Sequence, residues 1–383
     1  MTLWHSALKN LICSYLLLFL FHASINAAGG DMLIRCSPFV DTLNPDIKQA
    51  IATWMTYVQS SPDSLQEHAL WPEKDRNERF SFDPARAWVF QSKEFMKMYP
   101  GLIISADEIE QGTIVIKTLF QGMDSSGLSI PIGLYKVKAK YSGEKWILEH
   151  VLESMTSDWT KRTIGGITFV MSPKHRYSSG TARKAVRFCD SLTALFDLHD
   201  IEDARYYVAS SKEEMASILG FDFFVSIPQG LTYPEKDMVF TAMDTEFHSH
   251  ELSHLIFGSF SKTHTFIVEG LSTWLGGSLG QSFETLSKLL AREYIGRGIS
   301  LSFDDVLKAG QRESLAYYTF GAIVCKQVFH LSGGTGLKLF LDEARIESRD
   351  LKSVIAKHLA IQEHEIDAFI KTSLLDSHMY NSD

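Results

Sequence analysis

Positive charge is scarce in this chain, and what there is of it is scattered. Lys and Arg number 37 against 46 Asp and Glu, a formal net charge of −9, and no Lys/Arg cluster stands out along the 383 residues. A general nucleic-acid binder carries a basic footprint, and an electrostatic membrane binder a basic face, so both classes are disfavoured. Cysteine is also sparse. Beyond the N-terminal segment only Cys36, Cys189 and Cys325 remain. This odd, widely spaced set without a C-x-x-C is neither a disulfide framework nor a thiolate metal site. Cys189 and Cys325 fall in apolar helical patterns and read as buried thiols, and Cys36 could pair with one of them. Low-complexity sequence is missing. An apolar content of 45% and a charged content of 22% are ordinary for globular protein, and the length allows two domains, each with its own core.

Apolar runs long enough to span a bilayer are lacking too. The run Leu11 to Phe21 is too short to do so comfortably. Lys9 precedes it and a small-residue stretch, Ala23 to Ala28, follows, which is the layout of an export signal over residues 1–28. Arg35 before Cys36 argues against a lipoprotein. The expectation is export, to a periplasmic or extracellular location, with no stable membrane insertion once the signal is cleaved.

The rest divides by hydrophobic period into an α+β chain. In residues 29–155, Asn44 to Gln59 carries a helical stripe at Ile47, Ile51, Met55 and Val58. Thr113 to Phe120 is β-rich, and Leu134 to Tyr141 and Lys145 to Leu152 flank Ser142-Gly143-Glu144, a hairpin signal. A helix followed by antiparallel strands suggests a helix packed on a curved sheet, and this element order resembles the NTF2-like and cystatin-like folds. Residues 156–383 form the second expected domain. After a junction at 156–165, strands are expected at Ile167 to Met171, Arg205 to Ala209 and Asp237 to Ala242, with a helix at Thr181 to Phe196. Ser211-x-x-Glu214 signals a capped helix. A helix from about Asp244 to Phe257 follows. From Gly270 onward the pattern is nearly all helical, through Phe283–Ile295, Phe303–Ala309, Ser314–Leu331, Gly336–Ala344, Leu351–Leu359 and Glu363–Leu375.

His250-Glu251-Leu252-Ser253-His254 lies on the helix expected at 244–257. Residues four apart stand one above the other on a helix, so both imidazoles can address one ion, with Glu251 beside it as a base able to take a proton from water. Leu252, Leu255, Ile256 and Phe257 supply the buried side. Catalytic zinc usually takes three protein ligands and keeps one position for water. Glu269, fourteen residues beyond His254 in Val268-Glu269-Gly270-Leu271, is the favoured third ligand, against the simpler role of a carboxylate at a helix start. His264 is near in sequence but belongs to the connecting loop. His248 would lie about 200° around the helix from His250 and reads as a structural, hydrogen-bonding histidine. An oxyanion donor could come from Tyr317 or Tyr318, in Leu315-Ala316-Tyr317-Tyr318-Thr319-Phe320-Gly321, although a Tyr on an apolar helix is often core packing.

With these pieces the chain resembles the gluzincin metallopeptidases, the group that includes thermolysin and the aminopeptidase N family, and looks closest to the diverse peptidase-MA-like branch. The resemblance covers roughly residues 165–345 and rests on His250-Glu251-x-x-His254, Glu269-Gly270-Leu271 and Tyr318-x-x-Gly321. It implies a zincin-like fold with a small sheet and a helical C-terminal lobe. It also implies one zinc held by His250, His254 and Glu269, Glu251 as base, and Tyr318 stabilising the transition state. The gap between His254 and Glu269 is shorter than in thermolysin or aminopeptidase N. No Gly-x-Met-Glu-Asn run is present, which disfavours aminopeptidase action, and no third His follows at metzincin spacing. The expected function is an exported zinc-dependent peptidase acting on peptide or protein. The alternatives are a catalytically silent zinc-containing binding or assembly protein, and a binding module in the first domain as the working part.

Overall fold

The computed structural model of the protein describes residues 34–60, 68–72, 93–295, 302–345 and 350–379. The expected export signal lies outside them. In chain order the elements begin with β1 (Ile34–Cys36), α1 (Pro45–Gln59), α2 (Lys93–Met98), β2 (Gly101–Glu110), β3 (Thr113–Met123), β4 (Ser129–Ser142), β5 (Lys145–Glu149) and α3 (Leu152–Met155). They continue with β6 (Thr160–Ile164), β7 (Ile167–Met171), α4 (Ser179–Phe196), β8 (Ala204–Val208), α5 (Lys212–Ile218), β9 (Phe221–Phe224), β10 (Gly230–Tyr233), β11 (Met238–Thr241) and α6 (Ser249–Ile256). The helical remainder is α7 (Thr265–Gly276), α8 (Phe283–Leu290), α9 (Phe303–Ala309), α10 (Ser314–Glu343), α11 (Leu351–Leu359) and α12 (Ile366–Met379). The chain is thus mixed α+β, with two small mixed sheets.

These elements form two compact units, one of residues up to Trp159 together with Ser210–Pro228, the other of Thr160–Ala209 and Gln229–Asp383. The first division falls close to the expected 155/156 boundary. The expected second domain, however, does not run unbroken. Residues 210–228 fold with the first unit because β9 pairs antiparallel with β4, matching Gly133 to Phe224. Asp222 on β9 also accepts from Lys117 and Lys136, each at 2.7 Å.

In the first unit β1 pairs parallel with β2, and β2 to β5 run antiparallel in sequence order. Gly143 and Glu144, both at positive φ, make the two-residue turn between β4 and β5, a conformation whose twist suits a hairpin. Asn44 caps α1 by accepting from the Asp46 and Ile47 amides, with Pro45 opening the helix. The buried stripe of α1 is Ile47, Ala50, Ile51, Trp54, Tyr57 and Val58. Trp54, rather than the expected Met55, anchors it and donates its Nε1–H to Thr118 Oγ1 on β3 at 2.8 Å.

In the second unit the sheet order is β10-β11-β8-β7-β6. The parallel β7 and β8 are joined through α4, and nearly all their residues are buried, as expected when both faces are covered. The segment read as a junction contains β6, which pairs antiparallel with β7 around Gly165-Gly166. Its residues are almost all exposed, so an edge strand left no apolar alternation to read. Helices α6 to α12 contribute most of one large core, in which Leu252, Leu255, Ile256, Phe266, Leu271, Phe320 and Phe340 meet. The two helices expected at 314–331 and 336–344 form one run broken at Gly333, whose φ is 64°. Cys36, Cys189 and Cys325 are free thiols, so Cys36 does not pair with either of the others. No helix among the described residues is long and apolar enough to cross a membrane.

Candidate metal centre

Helix α6 is shorter than its hydrophobic pattern suggests, starting at Ser249 and not at Asp244. Asp244 has φ 52° and His248 lies outside helical geometry at φ −114°, ψ 86°. The approach is instead a loop tied down by side chains. His175 stands between Asp244 (Nδ1 to Oδ1, 2.7 Å) and Glu246 (Nε2 to Oε1, 3.0 Å), and Glu246 also accepts from the Ser178 amide. Helical spacing therefore does not decide where His248 points. Its Nδ1 meets Thr241 Oγ1 at 3.1 Å, a hydrogen-bonding role within the second unit. Burial lowers its pKa despite the nearby Glu251 charge, which keeps it neutral.

His250, His254 and Glu269 converge, as three donors able to hold one metal ion. His250 Nε2 lies 3.1 Å from His254 Nε2 and 3.1 Å from a Glu269 oxygen, which is 3.6 Å from His254 Nε2. Donors bound about 2.0–2.1 Å from a tetrahedral ion such as zinc stand about 3.4 Å apart, and these separations are close to that size. Hydrogen bonding also fits. His250 Nδ1 faces the Gly277 carbonyl at 2.7 Å, and a carbonyl only accepts, so Nδ1 carries a proton and Nε2 is the nitrogen that could give a lone pair to a metal once its own proton is displaced. His254 Nδ1 meets Ser272 Oγ at 3.1 Å, which lets its Nε2 do the same. Two imidazole nitrogens and a carboxylate oxygen meeting at one spot make a group that could bind a metal ion.

The electrostatics agree. Burial pulls the His250 imidazolium down, but the hydrogen bond and charge of Glu269, aided by Glu251 and the Gly277 carbonyl, outweigh it, and the pKa is pushed up to about 9. At Glu269 burial acts upward, but the His254 charge and hydrogen bonds from both histidines hold the carboxyl well below the usual carboxylate range. The side chains of His250, His254 and Glu269 keep 10%, 14% and 18% of their surface exposed, so the centre is not sealed.

Glu269 does not open its helix. α7 begins at Thr265, with His264 at its N-cap accepting from the Phe266 amide, so His264 is a capping residue and Glu269 sits inside the helix on the side facing α6. Tyr318 on α10 has its ring 6.2 Å from that of His250 and is only partly buried. Tyr317 is buried and packs edge-on against Phe266 at 5.1 Å, and burial together with the Glu269 charge raises its pKa. The two tyrosines left open by sequence differ in setting: Tyr318 lies beside His250 and is partly exposed, whereas Tyr317 is buried against Phe266 and still feels the Glu269 charge. Both helices are brought together at Gly270 and Gly321. A Cβ on Gly270 would lie 2.2 Å from the Gly321 carbonyl carbon. That contact sets Glu269, one residue before Gly270, and Tyr318, three before Gly321, beside His250.

Ser272 and the Gly277 carbonyl are the supporting groups that sequence reasoning missed. Ser272 is three residues after Glu269, on the same face of α7, a spacing that could have flagged it; a backbone acceptor has no sequence signal. No protein-family model matches this chain, and no curated protein matches it significantly.

Proposed function

We propose that this protein is a zinc-dependent peptidase of the gluzincin kind. The observation that carries the reading is the convergence of His250, His254 and Glu269 at zinc-ligand spacing, with both imidazole Nδ1 atoms already engaged elsewhere. Bound there, zinc supplies Lewis-acid chemistry, lowering the pKa of water and polarising a peptide carbonyl. Glu251, next to the first ligand on the same helix, takes the proton from the attacking water and returns it to the leaving amine. Tyr318, beside His250, offers its hydroxyl to the oxygen on which negative charge develops. A neutral His248 and an ionised Glu269 keep the local charge suited to a divalent cation.

The five-stranded sheet followed by helices in the second unit supports a zincin-like architecture, and α1 lying on an antiparallel sheet supports an NTF2- or cystatin-like first unit. The N-terminal pattern of residues 1–28 supports export, and the substrate class is peptide or protein. The test is metal content and hydrolysis of a broad peptide library. The parent should hold about one zinc per chain and cleave, and Glu251→Gln should keep the metal and lose at least about 100-fold in rate, the scale of a lost general base. His254→Ala should lose both metal and activity. Full zinc occupancy with no cleavage of any peptide favours the silent binding protein instead.

A further inference from the structure

Strand β10 forms one edge of the five-stranded sheet, paired antiparallel to β11. Residues two apart on a strand share a face, and the face bearing Gly230 and Thr232 meets α6 at Glu251. Thr232 Oγ1 lies 2.7 Å from Glu251 Oε2 and 3.1 Å from the Glu251 backbone oxygen. A hydroxyl has one proton to give, and the carboxylate oxygen at 2.7 Å is the nearer acceptor. At Gly230 a Cβ would fall 2.4 Å from both Cγ and Oε1 of Glu251 and 2.5 Å from Cε1 of His248. The carboxylate is therefore boxed: one oxygen is tied to Thr232, and the other fits only because the strand carries no side chain at Gly230. Neither residue belongs to the H-E-x-x-H run or is near it in sequence.

We propose that Thr232 is the positioning residue for the base, its hydroxyl holding the Glu251 carboxylate in the one rotamer in which it serves the reaction, with Gly230 providing the space. This rests on the peptidase reading above. A base held in one orientation spends its time in productive geometry, whereas a free one samples several rotamers. The Thr232 hydroxyl bonds to Glu251 and not to His250, His254 or Glu269, so its effect should fall on turnover and spare metal binding.

The test compares the zinc-loaded full chain with Thr232→Val, which keeps the β-branched shape and loses the donor, and with Thr232→Ser, which keeps the donor. On the best-cleaved member of an internally quenched peptide library, Thr232→Val should lower kcat about 10- to 100-fold, the usual cost of losing an orienting partner, with KM and zinc affinity within about twofold. Thr232→Ser should return kcat to within about threefold of the parent. A crystal structure of Thr232→Val with zinc should show the Glu251 carboxylate in more than one rotamer. Equal kcat in Thr232→Val and parent, or a single unmoved Glu251 rotamer in the variant, overturns the inference while leaving the peptidase reading intact. A loss confined to zinc affinity or to thermal stability overturns it as well. A zinc-loaded parent that cleaves no peptide overturns both.

Discussion

His250 and His254 are fixed by groups on their far nitrogens, and these groups set what can be tested at single residues. Removing the Ser272 hydroxyl leaves His254 Nδ1 without its partner. Ser272→Ala should therefore weaken zinc binding by about 10-fold with little change in melting temperature, read by competition with a chromophoric chelator. Without metal, the raised pKa of His250 means that the cluster holds a proton up to about pH 9. Metal must displace that proton, so apparent zinc affinity should climb with pH toward that value, about tenfold per unit, and level above it. Calorimetry in two buffers of different ionisation enthalpy at pH 7 should show proton release on binding. An affinity independent of pH between 6 and 8 would contradict this. The two histidines were legible in sequence because a spacing of four on a helix is a local rule. Glu269 was legible only as the first suitable carboxylate downstream, and its burial inside α7 was not. Thr232 and the Gly277 carbonyl were invisible, since only the tertiary fold brings β10 and the end of α7 to α6.

At the level of elements, the contact between α7 and α10 and the loop before α6 decide the geometry. Gly270 and Gly321 touch backbone to backbone, so an added methyl has no flexible neighbour to displace. Gly270→Ala should cost about 1–3 kcal/mol or more by overpacking and should separate Glu269 from the histidines. Denaturant titration and metal content should then both fall. The His175 clamp gives a pH-dependent term. Burial opposes protonation of His175, but its hydrogen bonds to Glu246 and Asp244 and their charges raise its pKa above the ordinary value. A raised folded-state pKa stabilises fully below the unfolded value, about 6.5, and the benefit fades as pH rises through the folded one. Glu246→Gln keeps an acceptor for the Ser178 amide but loses the charge. Its drop in melting temperature should be larger at pH 5.5 than at pH 9.5. Most helices of the second unit were legible because their apolar stripes are long and regular; Phe303–Ala309 and Leu351–Leu359 emerge with the expected ends. The start of α6 was not, because Asp244 and Glu246 serve His175 and not the first turn of a helix. Strand β6 was hidden by its exposure, and β10 by being four residues long with a Gly at its head.

For the molecule as a whole, the decisive fact is that sequence order and spatial order disagree at residues 210–228. Met215, Ile218 and Phe221 are buried at 0–2% exposure in the first unit, and the Phe221 ring lies 5.0 Å from that of Tyr135 on β4. A fragment beginning at residue 156 keeps these side chains and removes their partners, at a cost on the order of 1.5–3 kcal/mol for each large side chain exposed. It should be poorly soluble and bind a hydrophobic dye more strongly than the full chain, and replacing 210–228 with a short polar linker should relieve both effects. A fragment as soluble as the full chain with the segment intact would contradict this. Composition and period could indicate two cores, but nothing in a linear reading tells which core a detached strand will join, because the pairing of β9 with β4 is made far along the chain. During synthesis from the amino terminus, β6, β7 and β8 leave the ribosome before β9 arrives to complete the first sheet. The first sheet therefore lacks its last strand until the chain has been made to about residue 228, after three strands of the second unit.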